Sequence, residues 1–110
     1  MFYGTVTTIA YVLYKLKGSP LQWDETTKTL SGIKQNIGAP RGYSIVDDLK
    51  KWNIPVEESP STYNDFQKLL KDRLDGVAAL ELAGDFYLKK DSKFNDIEKV
   101  SPPLLPNLIT

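Results

Sequence analysis

From Thr5 to Leu16 the chain runs through Thr, Val, Ile, Leu and Tyr almost without interruption. These residue types suit a pleated strand. Lys17-Gly18-Ser19-Pro20 ends it with turn chemistry. Trp23 to Leu30 reads as a loop or short helix, and Ile33 and Ile37 bracket a second strand that stops at Pro40. The period then changes. Ile45, Leu49 and Trp52, with Val46 beside them, recur at helical spacing over Ser44 to Trp52. Asp47 and Asp48 near the start and Lys50 and Lys51 near the end suit the helix dipole. Asn53 breaks that pattern, and "IPVEES" is a short strand bounded by Pro55 and Pro60. "STYNDFQKLLKDR" is a second helix, capped by Ser61 or Thr62, with Tyr63, Phe66, Leu69 and Leu70 on one face. "LDGVAALEL" is a continuous apolar run of the kind found in buried parallel strands. "AGDFYLKKD" begins a third helix, and "FNDIEKVS" returns toward a last strand before "PPLLPNLIT".

The order is one strand, then β-α-β-α-β-α-β. Alternation of this kind predicts an α/β fold, a three-layer α-β-α sandwich around a mostly parallel sheet of about five strands. Right-handed crossovers point to a flavodoxin-like core order of 2-1-3, counted from the Ile37 strand. Ligands in such sheets sit at the carboxyl ends of the strands, at the switch point. That rule brings the Arg41–Ser44 junction beside the Leu80–Leu82 junction and leaves Ser59–Thr62 on the outer side. No internal repeat divides the 110 residues, so residues 1–110 are read as one domain.

Composition removes several function classes. Lys+Arg and Asp+Glu number 14 each, so no electrostatic footprint for nucleic acid is present. The sequence contains neither cysteine nor histidine, which excludes disulfides, thiolate chemistry, a Ser-His-Asp triad and a His-based zinc site. Gly38 and Gly42 complete no dinucleotide or phosphate-loop fingerprint. Asp72 and Asp75 read as turn residues without metal spacing. The expectation is a non-enzyme with no cofactor. The segment "MFYGTVTTIAYVLYKLKGS" lacks a basic leading region and a long pure apolar run, so it reads as a strand and not as a signal peptide.

Two places are candidates for binding. At Arg41-Gly42-Tyr43-Ser44 a strand hands over to a helix. A helix start offers unpaired N–H groups, Gly42 permits close approach, Ser44 carries a hydroxyl and Arg41 a bidentate fork. The simpler alternative is that Ser44 caps the helix, Gly42 makes a turn and Arg41 is solvated. Tyr43 sits in the loop and is free to stack on a ligand. Glu81 follows an apolar run, either to accept from a ligand's amine or hydroxyls or as a surface acid at a helix start.

Three segments carry a family resemblance: Leu30-Ser31-Gly32-Ile33-Lys34, Ile37-Gly38-Ala39-Pro40-Arg41-Gly42 and Leu69-Leu70-Lys71-Asp72-Arg73-Leu74-Asp75-Gly76. Their order and spacing resemble the second lobe of type II periplasmic solute-binding proteins, the family related to amino-acid receptors of ABC importers. The likeness runs from about Trp23 to about Pro103, with residues 5–16 as a hinge-proximal strand, 23–103 as the lobe-two core and 104–110 as a return segment cut short. The resemblance implies a non-catalytic lobe, periplasmic or extracellular, that contributes half of a cleft for a small polar or carboxylate-bearing solute. It maps solute binding onto Gly42, Tyr43 and Ser44, with Arg41 beside them. Where amino-acid receptors carry an aspartate for the solute's amino group, this sequence has Leu80, with Glu81 next to it.

The family has two lobes and this chain is expected to hold one, as an excised, truncated or relict lobe. Its partner is then the missing first lobe, an ABC-transporter permease, or a second copy of itself. Phe2 and Tyr3 at one end, and Leu104, Leu105, Leu108 and Ile109 at the other, are the apolar residues expected to support a homodimer. The alternative is a stand-alone interaction domain derived from such a lobe and lacking a small-molecule ligand.

Overall fold

The computed structural model describes residues 8–109. Its strands are β1 (Thr8–Leu16), β2 (Gln22–Asp24), β3 (Thr29–Ser31), β4 (Ile37–Pro40), β5 (Val56–Ser59), β6 (Gly76–Leu80) and β7 (Ile97–Ile109). Its helices are α1 (Ser44–Lys51), α2 (Thr62–Leu70) and α3 (Glu81–Lys90). Five strands form one sheet in the order β5-β4-β6-β1-β7, so the expected 2-1-3 core stands as β5-β4-β6. β4 is parallel to both β5 and β6, whereas β1 runs antiparallel to β6 and β7.

The connections explain the layers. β4 reaches β5 through α1, and β5 crosses back over β4 to β6 through α2. Right-handed crossovers in opposite directions put their helices on opposite faces. β1 shows the outcome residue by residue. Tyr11 and Leu13 enter a core with Ile45, Val46 and Leu49 of α1, while Val12 and Tyr14 enter a core with Phe66 and Leu69 of α2. That is the period-2 alternation of a strand buried on both faces.

Local chemistry terminates the helices where the sequence predicts. Asn53 takes a left-handed φ of 60° after α1, and the Ile54 N–H closes back on Leu49 O at 2.9 Å; asparagine is one of the few non-glycine residues at ease there. Ser61 caps α2 by accepting from the Asn64 N–H at 3.2 Å.

Three expectations need correction. Trp23–Leu30 is neither plain loop nor helix, because β2 and β3 pair as a hairpin with Trp23 opposite Leu30. Its buried Trp23 covers α1 and packs on Trp52, ring centroids 5.3 Å apart. The strand expected between Ile33 and Ile37 begins only at Ile37. Before it, the Lys34 and Gln35 N–H groups donate to the Asp75 carboxylate. At the carboxyl end, Leu104 is buried in the sheet layer and is no free dimer surface. Phe2 and Tyr3, and the side chains of Leu108 and Ile109, lie outside the described residues.

Asp65 is the unusual core residue. It is fully buried on α2, and neither carboxylate oxygen has a hydrogen-bond partner within bonding geometry. Burial pushes its carboxyl up to about 6, against partial relief from the Ser59 hydroxyl and from Lys68, which itself pairs with Glu57 at 2.7 Å. The folded state therefore binds this proton more tightly than the unfolded chain. Stability from this group is highest below about pH 4 and is lost as pH rises to about 6. An Asp65→Asn variant should lack that decline and be more stable at pH 7, by up to about 3 kcal/mol. Urea melts of both proteins at pH 4 and pH 7 test this, and parallel pH dependences would refute it.

Candidate functional site

The carboxyl ends of β4 and β6 define the site. β4 stays paired with β5 out to Pro40 opposite Ser59, but its pairing with β6 stops at Gly38 opposite Val77. Two parallel neighbours that part at their carboxyl ends leave an opening where the chain turns into a helix on either side.

On the β4 side the turn is held by backbone. The Arg41 N–H donates to Ser59 O at 2.8 Å, and Gly42 adopts a φ of 86°. A left-handed φ suits glycine, and nothing stands within 4 Å of the position its Cβ would take. Tyr43, in extended conformation, is the residue that precedes α1, and its side chain makes no capping bond. Ser44 is therefore the first helical residue and not the cap that the sequence allowed. Its hydroxyl points instead to the Tyr11 hydroxyl of β1, 3.5 Å away. Arg41 is exposed, with its Nε 4.0 Å from Glu58, which also pairs with Lys50 at 3.3 Å. Tyr43 is exposed as well. A surface depression of about 350 Å³ opens between Gly42–Ser44 and the Lys50–Glu58 pair. The turn thus offers hydroxyls, an exposed guanidinium and the N–H groups of a helix start.

Glu81 takes a different place. It is the first residue of α3, and its carboxylate pairs with Lys99 of β7 at 2.6 Å. Lys99 also holds Asp85 at 2.9 Å, and these two carboxylates, Glu81 first, keep its ammonium above the ordinary lysine range. Lys99 lies opposite Tyr14 in the sheet register. Tyr14 is wholly buried, and its hydroxyl donates to Asp85 at 3.0 Å and approaches Glu81 O at 3.3 Å. Burial, and then the charge of Asp85, push the Tyr14 phenol far above its usual range, so it remains a donor. The two junctions are neighbours along the sheet edge, but their side chains are on opposite faces. Ser44 joins Tyr11 on the α1 side, whereas Glu81 joins Lys99, Asp85 and Tyr14 on the α3 side. Tyr11 and Lys99 were not legible as site residues, because only the registers Tyr11–Leu80 and Tyr14–Lys99 bring them there.

Other depressions lie elsewhere. One of about 320 Å³ sits at the amino ends of β4 and β6, around Lys17, Lys34 and Asp75. Another of about 510 Å³ flanks the β2–β3 hairpin. Neither touches the opening between β4 and β6.

The fold recurs in solved structures. The chain superposes on the GluR0 ligand-binding core from Nostoc punctiforme in complex with L-glutamate with a TM-score of 0.70, at 17% identity, over 93% of this chain and 46% of that one. It matches an ancestral arginine-binding protein bound to glutamine with a TM-score of 0.70, at 18% identity, over 94% and 45%. A histidine kinase sensor domain with similarity to periplasmic binding proteins gives 0.73, at 10% identity, over 96% and 45%. The fold is that of one lobe of a periplasmic binding protein. The chain spans about half the length of the structures it matches. No family model matches the sequence, and no curated protein does.

Within this lobe, Gly84 lets α3 settle over β1. A Cβ there would fall on the hydroxyl and ring of Tyr14. Gly84→Ala should therefore destabilise the protein by about 1–3 kcal/mol. A thermal melt reads this directly, and an unchanged melt would show that α3 is not seated on Tyr14.

Proposed function

We propose that this chain is a solute-binding lobe, non-catalytic, that contributes half of a cleft for a small polar or carboxylate-bearing solute. The observation that carries the reading is the opening at the carboxyl ends of β4 and β6, where α1 begins. Arg41, Gly42, Tyr43 and Ser44 form its anion-facing edge, and the Tyr11 hydroxyl backs Ser44. The solved structures of like fold support it, since several hold amino acids. In this reading the protein works in the periplasm or outside the cell, as part of an importer that delivers solute to a permease or as a sensor module. Glu81 does not join this edge, because its carboxylate is on the opposite face and paired with Lys99, so the reading assigns it no contact with the solute. A facing wall from a first lobe would complete the cleft, and without it affinity is low because the solute stays partly hydrated.

A thermal-shift screen over small carboxylates and amino acids tests the assignment. A solute at about 100 times its dissociation constant should add roughly 2.7 kcal/mol of stability. Arg41→Ala and Ser44→Ala should each weaken that solute about tenfold, the usual loss for a charge-assisted or hydroxyl hydrogen bond. Unchanged affinity in both variants would remove the site from this turn. A folded protein that responds to no solute would instead favour the interaction-domain reading.

A further inference from the structure

Among the described residues three large apolar side chains stand exposed: Tyr43 at the turn, and Leu82 and Phe86 on α3. Leu82 is 72% exposed and Phe86 54%. They are four residues apart, so they lie side by side on one outer face of the helix. The opposite face is fixed on the sheet through Gly84 and Tyr14. The helix therefore presents an apolar pair on a rigid support, which lowers the ordering cost of any contact made there.

The charges of α3 are sorted along its length. Glu81 and Asp85 occupy the first half, and Lys89 and Lys90 the last turn. Lys99 is one ammonium shared by the two carboxylates, so that end keeps a net negative charge. At the other end the ion pairs among the described residues involve neither Lys89 nor Lys90. Lys90 stands over the Phe86 ring, 5.2 Å from its centroid. Such a helix is complementary to itself in one orientation only. Placed antiparallel across a twofold axis, Leu82 of one copy meets Phe86 of the other, and each basic end meets an acidic end. Parallel placement would set like charges against each other.

We propose that α3 is a self-association face, through which two copies of this chain pair antiparallel about Leu82 and Phe86. The contact is isologous, so it closes at the dimer. It is small, so the dimer is a weak, concentration-dependent one. The pairing is independent of whether the β4–β6 opening takes a solute.

Sedimentation equilibrium of the whole chain, over a concentration series reaching the millimolar range, tests the proposal. The average mass should rise from one chain toward two and stop there. Leu82→Lys should weaken the association about tenfold or more, as expected for a central apolar anchor. The double variant Lys89→Glu, Lys90→Glu should weaken it at least about twofold, and added salt should weaken the wild type in the same direction. All these positions are exposed, so thermal melts of the variants should stay cooperative and close to the wild type, the glutamate pair slightly lower because it opposes the dipole at the end of α3, which excludes misfolding. A single-chain mass at every concentration overturns the proposal. So does association that Leu82→Lys leaves unchanged, or association that the glutamate pair leaves as strong as in the wild type.

Discussion

β1 is the strand on which both layers rest. Its residues alternate between two cores with no neutral position from Tyr11 to Tyr14, and all four are buried. A slip of one residue would exchange the two cores and place Tyr14 against α1. The pairing of Tyr11 with Leu80 and Tyr14 with Val77 fixes that register against β6. The same strand then sets both junctions at the carboxyl edge. Its Tyr11 hydroxyl stands behind Ser44, and its Tyr14 hydroxyl stands beneath the first turn of α3. Packing and site geometry are thus one constraint, since no change to the register of β1 leaves the edge intact.

Much of this was legible in the sequence because it is local. The helical spacing of Ile45, Leu49 and Trp52, the Ser61 cap and the breaking Asn53 are short-range signals, and α1 and α2 lie where those signals put them. The apolar run at Gly76–Leu80 is buried as its composition requires. The β2–β3 hairpin escaped notice because three-residue strands are too short to show a period. α1 starts at Ser44 as its spacing indicates, so the alternative of Ser44 as a capping side chain does not hold, and its hydroxyl is free to meet Tyr11. The partnership of Glu81 with Lys99 spans 18 residues and depends on how β7 pairs with β1, and no local pattern encodes that.

The small residues of β4 and the buried acid of α2 belong together. A Cβ at Gly38 would press on Leu74 and on the Asp65 carboxylate. Glycine at this position lets α2 lie close on the parallel strands. The closeness also seals Asp65 from water without giving its oxygens a donor in bonding range. An unpartnered buried acid costs stability. Here it sits in the first turn of α2, where the helix dipole offsets part of that cost.

The carboxyl edge treats the two signs of charge unequally. Of its carboxylates, Glu81 and Asp85 are engaged by Lys99 and Glu58 by Lys50, while Asp47, beside Ser44, takes part in none of the ion pairs among the described residues. Its donors are freer: Arg41 has only a 4.0 Å contact with Glu58, and the start of α1 bears no side-chain cap. An anionic group arriving at the turn meets Arg41 and the helix-start N–H groups without displacing anything, whereas an ammonium reaching Glu81 on the other face must compete with Lys99. In open solvent this difference is small, because exposed ion pairs are worth little. It grows when a facing surface excludes water, since the same charges then interact through a lower dielectric. In the proposed reading, what the lobe contributes alone is therefore orientation of an acidic group, and discrimination becomes strong only when the opening is covered.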